Sequence, residues 1–145
     1  MKYPRYPVIA SDNPYTYDFY SEGPKGRIKK AIFFTPIGKN LFNLGFGDWN
    51  EETQDVDDSN RSNNGDRDKV LATVAFTAIK FIERFPDAQI AIVGSTPART
   101  RLYQMGIAYN YMEIKDILKI EGLINDRWEN FQLGVNYKSF LITRK

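Results

Sequence analysis

Residues 15–22, Tyr-Thr-Tyr-Asp-Phe-Tyr-Ser-Glu, alternate aromatic and polar side chains with a period of two, which predicts a strand with one buried face. Gly23-Pro-Lys-Gly26 marks a turn, residues 27–36 read as a second strand rich in Ile and Phe, and residues 40–46 as a third beyond the breaker Pro36-Ile-Gly38. Three strands with short connections imply an antiparallel meander. From residue 47 to 65 the composition turns to Asp, Asn, Ser and Glu, too polar to bury, and predicts one long acidic loop. Residues 66–85 carry apolar side chains at Val70, Leu71, Val74, Ala75, Ala78, Ile79, Phe81, Ile82 and Phe85, the spacing of a largely buried amphipathic helix that Pro86 and Asp87 end. Residues 89–94 form a short run of β-branched side chains that suits a central strand. Ser95-Thr-Pro then sets a hydroxyl residue at a helix cap and proline at the first helical position, with Gly106 a candidate interruption. Helix to about residue 116 and strands near 118–121, 128–133 and 139–143 complete the reading. The class is α+β, a mixed sheet in which the meander is followed by helix, strand, helix and C-terminal strands.

Composition bounds the chemistry. The 145 residues, 42% hydrophobic and 26% charged, fit a single domain spanning 1–145 that builds its core without disulfides or a structural metal. There are no cysteines and no histidines. Thiol nucleophiles, Ser-His-Asp triads and thiolate or imidazole zinc sites are therefore excluded. The net charge of +2 is uninformative, but eight of the 18 acids and only two of the 20 bases fall between residues 48 and 68, so an acidic segment hangs on a basic body. No apolar run reaches membrane-spanning length, and residues 1–10 lack the apolar core of a signal peptide, so a cytoplasmic protein without membrane contact is expected.

The element order resembles the start of the ribonuclease H-like fold. That resemblance implies a strand returning parallel to the first meander strand, and two magnesium ions held by carboxylates on the first strand (here Asp18 or Glu22), the first helix (Asp66 or Asp68) and the end of the fourth strand. Where the third acid is required the chain reads Val93-Gly-Ser-Thr96, so the resemblance extends to topology and not to nuclease activity. Three strings, Phe46-Gly-Asp-Trp49, Asn63-Asn-Gly-Asp-Arg-Asp-Lys-Val-Leu-Ala-Thr-Val74 and Gly94-Ser-Thr-Pro-Ala-Arg-Thr-Arg-Leu-Tyr-Gln104, resemble an uncharacterised family of small bacterial proteins. That resemblance covers most of the chain and implies no activity, cofactor or substrate.

Residues 94–101 are the leading candidate site. A strand feeding a helix through Gly-Ser-Thr exposes backbone N–H groups, Ser95 and Thr96 add hydroxyls, and Arg99 and Arg101 add forked, permanently charged donors for phosphate or carboxylate. Two arginines in the first turns of a helix oppose its dipole, which suggests a ligand or an ion pair with Asp66 or Asp68. Trp49 is a candidate to stack on a bound group, or else covers the core edge. The expected function is a binding module for a small anion or a protein partner, requiring no cofactor. One alternative is an enzyme acting on phosphodiesters or nucleotides, with Mg2+ on Asp48, Asp66 and Asp68, joined by Asp57 or Asp58. A second is a component of a toxin–antitoxin pair that acts by protein contact through Tyr3, Tyr6, Tyr15, Tyr20 and the acidic loop. Lys25, Arg27, Lys29 and Lys30 allow nucleic-acid contact but equally suit a solvated hairpin edge.

Overall fold

The strands and helices follow the sequence patterns closely, and their pairing does not follow the ribonuclease H-like order. In the structure, a computed structural model that describes residues 4–57 and 64–145, the meander is β2 (Thr16–Gly23), β3 (Gly26–Gly38) and β4 (Leu41–Asn50). A short β1 (Ile9–Ala10) pairs with β2 at one edge. Pro36-Ile-Gly38 is not a gap between strands, because β3 runs through it with a register shift between Pro36 and Gly38. Nor is residue 47 the start of a loop. The polar segment folds back on itself, so that β4 continues to Asn50 and β5 (Asp55–Asp57) pairs with it, Trp49 opposite Val56. Backbone hydrogen bonding, which polar side chains do not prevent, extends the ladder where the composition read as loop.

Helix α1 (Arg67–Arg84) carries the chain to β6 (Gln89–Ile92), which lies parallel to β4, the third meander strand, with Leu41 opposite Gln89. The expected partner was the first meander strand, whose far edge β1 occupies instead. Helix α2 (Pro97–Ile114) then leads to β7 (Leu118–Ile124), β8 (Arg127–Asn130) and β9 (Ser139–Arg144), and β9 inserts between β6 and β7. The result is a mixed, open, nine-stranded sheet in the order β1-β2-β3-β4-β6-β9-β7-β8 with β5 added on β4. Gly106 does not interrupt α2. A Cβ there would stand 3.3 Å from Leu71 of α1, so this glycine serves the close approach of the two helices.

Both helices pack on one face. Phe81 of α1, wholly buried, stacks on Phe34 at 3.9 Å and meets Phe42, Phe85 and Tyr15 edge-on or tilted. Leu71, Val74 and Ile82 of α1 and Leu102, Ile107 and Ile114 of α2 complete this core with Ile90, Ile92, Phe140 and Ile142 of the sheet. No helix among the described residues is long and apolar enough to cross a membrane.

Candidate functional site

Alternation along the strands puts Tyr17, Phe19 and Ser21 of β2, Lys30, Ile32 and Phe34 of β3, and Leu44, Phe46 and Asp48 of β4 on the helix-bearing face. Most of these side chains are apolar. At the end where β4 finishes and both helices begin, however, the layer turns polar, with Ser21, Lys30, Asn64 and Arg99 all buried. In open α/β sheets ligands bind beyond the carboxyl ends of the parallel strands, where helix N-termini gather. β4 and β6 form the parallel pair here, and they fork: β6 lines Leu41–Asn43, β5 lines Asp48–Asn50, and among the described residues no strand lies beside the edge of β4 between them.

Arg99 reaches into that fork. Its Nη2 donates to the carbonyl oxygen of Phe46 at 2.5 Å, and its guanidinium lies 5.1 Å from the Phe46 ring and 5.7 Å from that of Tyr103. Nη1 is buried without a hydrogen-bond partner, and no carboxylate among the described residues forms an ion pair with it. A guanidinium keeps its charge in proteins, so among the described residues Arg99 is a buried cation facing a carbonyl, two π faces and no counter-ion. Burying an unneutralised charge costs several kcal/mol even after relaxation, of which desolvated cation–π contact returns about 2 kcal/mol.

The remaining charges of the layer are compensated. Lys30 Nζ holds Asp48 Oδ1 at 2.5 Å. Asp66 accepts from Tyr6 Oη and from Ser21 Oγ, each at 2.5 Å. Asn64 ties the β2–β3 turn to the start of α1: its Nδ2 donates to Ser21 Oγ and to the Gly26 carbonyl, and its Oδ1 accepts from the Lys25 N–H. Burial and the Asp66 carboxylate, which already accepts its proton, push the Tyr6 phenol above its ordinary value.

The sequence candidates separate accordingly. Thr96 is the N-cap of α2, accepting from the Arg99 N–H at 3.1 Å, and Ser95 and Thr96 are exposed. Arg101 is also exposed and points away from Arg99. Asp66 and the helix that starts at Pro97 lie at the same end of the sheet, yet neither Asp66 nor Asp68 pairs with either arginine. Trp49 is not brought to the turn. It alternates to the face opposite Asp48, where Lys29 Nζ sits 5.3 Å from its ring. Asp48, Asp66 and Asp68 do not converge either: the first is held by Lys30, the second by two hydroxyls, and the third is exposed beside Arg67. No group of three or more potential metal-ligating side chains occurs among the described residues. Tyr6 is buried and Tyr15 packs in the core, so neither forms a contact surface, and Tyr3, Asp58, Arg61 and Asn63 lie outside the described residues.

Sequence reasoning missed Ser21, Lys30 and Asn64 as members of the layer. Lys30 carried a usable signal, since it falls on the same alternation phase as Ile32 and Phe34 and so on the buried face. Asn64 reads as a turn residue before Gly65, which has φ 74°, and nothing local marks its side chain as buried. No curated protein and no solved structure matches the chain. Residues 2–145 match a family of unknown function (DUF6934), and the chain belongs to that family.

Proposed function

We propose that the chain is an anion-binding module whose site is the fork between β5 and β6, beneath the first turn of α2. The observation that carries this reading is Arg99, a buried guanidinium with one unpartnered nitrogen and no counter-ion among the described residues. An anion in the fork supplies that missing charge, accepts from Nη1, and meets the positive end of α2. The ligand carries a phosphate or carboxylate group, because both suit the forked donors of arginine. In this arrangement Thr96 fixes the turn through its cap, while Lys30 and Asp48 brace the strand end below it. The separation of Asp48, Asp66 and Asp68 gives no support to the magnesium-dependent alternative.

The test is calorimetric titration of the purified chain with inorganic phosphate, acetate, mononucleotides and short RNA, repeated on Arg99→Met. Saturable heat with a phosphate- or carboxylate-bearing probe, lost in Arg99→Met, is the expected result. Binding that persists in the variant, or no binding by any probe, overturns the assignment to Arg99.

A further inference from the structure

Where the two helices pass over the sheet they leave a cavity of about 40 Å3, bounded by α1, α2 and strands β4, β6, β7 and β9. Apart from Tyr103, every described residue that lines it is aliphatic or glycine. Close-packed interiors leave few spaces larger than a water molecule, and this one has room for about three water-sized groups. Water is not its natural content, because a buried water needs several polar partners. Small residues keep the space open: Ala75 and Ala78 of α1 and Gly106 of α2 line it where longer side chains would close it.

The cavity begins next to the unbalanced charge. Arg99 and Tyr103 are one turn apart on α2, and the guanidinium of the first lies 5.7 Å from the ring of the second, which lines the cavity. The sheet repeats this relation. The Phe46 carbonyl accepts from Arg99, and Leu44, two residues back on the same face of β4, lines the cavity. A head group on Arg99 and a tail in the cavity are therefore about one helical turn apart, the reach of a short chain. The charge selects the head. Among the described residues Arg99 brings one uncompensated positive charge and one unpartnered nitrogen, which a single carboxylate balances. A phosphomonoester carries a second negative charge at neutral pH, and that charge would be buried without a partner.

Resting on the anion-binding reading of Arg99, we propose that the ligand is a small monocarboxylic acid with an apolar tail, its carboxylate on Arg99 Nη1 and its tail in the cavity between α1, α2 and the sheet. Tyr103, whose ring borders both, is the residue along which the chain lies. Acetate fills only the head position. Each further carbon gains affinity by leaving water for the aliphatic lining, until the cavity is full.

Calorimetric titration of the full chain with the straight-chain acids from acetate to hexanoate, and with butyl phosphate, tests it. Burying a methylene is worth about fourfold in affinity, so binding is expected to tighten about fourfold per carbon as far as butyrate or pentanoate and then to level off. Butyl phosphate is expected to bind more weakly than butyrate. Ala78→Leu, which fills the cavity, removes the gain from acetate to butyrate. Ile107→Val, a milder change that enlarges the cavity, carries the rise one carbon further and serves as the test if Ala78→Leu does not fold. Acids that bind equally whatever their length, or a length series that neither variant alters, overturn the tail site and leave Arg99 as an anion site. A length series unchanged in Arg99→Met separates the cavity from the charge and overturns the proposal, and tighter binding of butyl phosphate than of butyrate overturns the choice of carboxylate. Absence of binding by every acid and by phosphate overturns this inference together with the reading on which it rests.

Discussion

The centre of the helix-bearing face and its end at the β4 terminus are built from the same strands, yet they differ in what they leave unsatisfied. At the centre, the rings of Phe34, Phe42 and Phe85 each meet that of Phe81. That region is expected to contribute stability alone. At the end of β4 the same strands supply Ser21, Lys30 and Asp48, the helices supply Asp66 and Arg99, and one charge of the set lacks a counter-charge among the described residues. A chain selected only for stability replaces such a group with a hydrophobe of similar volume. Burial is alike in the two regions, and the feature that distinguishes a site from a core here is an unbalanced charge.

Substitutions in the two regions should therefore differ in size and, at one position, in sign. The largest loss is expected from Phe81→Ala, which opens a cavity beneath α1 in a region that cannot collapse: about 3–5 kcal/mol by urea unfolding. A loss below about 1 kcal/mol would mean that the aromatic cluster is not the centre of the core. In the polar layer, Asp66→Ala leaves the Tyr6 and Ser21 hydroxyls without their acceptor and should cost about 1–3 kcal/mol in the same assay. Serine at position 66 keeps one acceptor and should recover part of that loss.

Gly94→Ala sharpens the boundary between the regions. A Cβ at this position would stand 2.8 Å from the backbone carbon of Arg99 and collide with the Thr100 N–H, both backbone atoms of the α2 start, so the turn must shift. The expected cost is about 1–3 kcal/mol, accompanied by weaker anion binding in calorimetry. Unchanged binding would mean that the position of the turn does not govern the site.

The smallest effect concerns pH. Tyr6 and Tyr137 are both pushed above the phenol value of 10.0, by burial first and then by hydrogen bonding to Asp66 and Glu129 respectively. Since the folded state holds these protons more tightly, the stability they contribute is complete below pH 10.0 and is lost as the pH rises through the higher folded values. Unfolding free energy should fall on the alkaline side, and Tyr6→Phe should flatten part of that fall. A decline of the same steepness in Tyr6→Phe would remove Tyr6 as its source.

Sequence patterns located the elements well because each is periodic over its own length. The buried phase of α1, the alternation of β2 and the Thr96-Pro97 start of α2 all express local geometry. Pairing was less legible. Whether β6 joins the first or the third meander strand is decided by which edge is free, and the two residues of β1 that cover the other edge carry almost no periodic signal. The acidic segment is hard to read for a related reason, since β5 pairs with β4 through backbone bonds that composition does not report. At the site, the rule that cations are unfavourable at a helix start marks Arg99 and Arg101 as unusual. Their directions come from tertiary packing, which turns one into the sheet fork and the other outward. Trp49 reads as a residue that stacks on a bound group or covers the core edge, and strand alternation sends it to the face opposite Asp48.

The most direct test of the account is urea unfolding of wild type and Arg99→Met side by side, in buffer free of phosphate and carboxylate and again at saturating concentration of the anion that binds. If Arg99 is a cation held for a ligand, the variant is at least as stable as wild type without the anion, and only wild type gains stability when it is added. If Arg99 is a strut whose purpose is the Phe46 carbonyl and the Tyr103 ring, Arg99→Met loses stability in both buffers and the added anion stabilises neither protein, which would contradict the account.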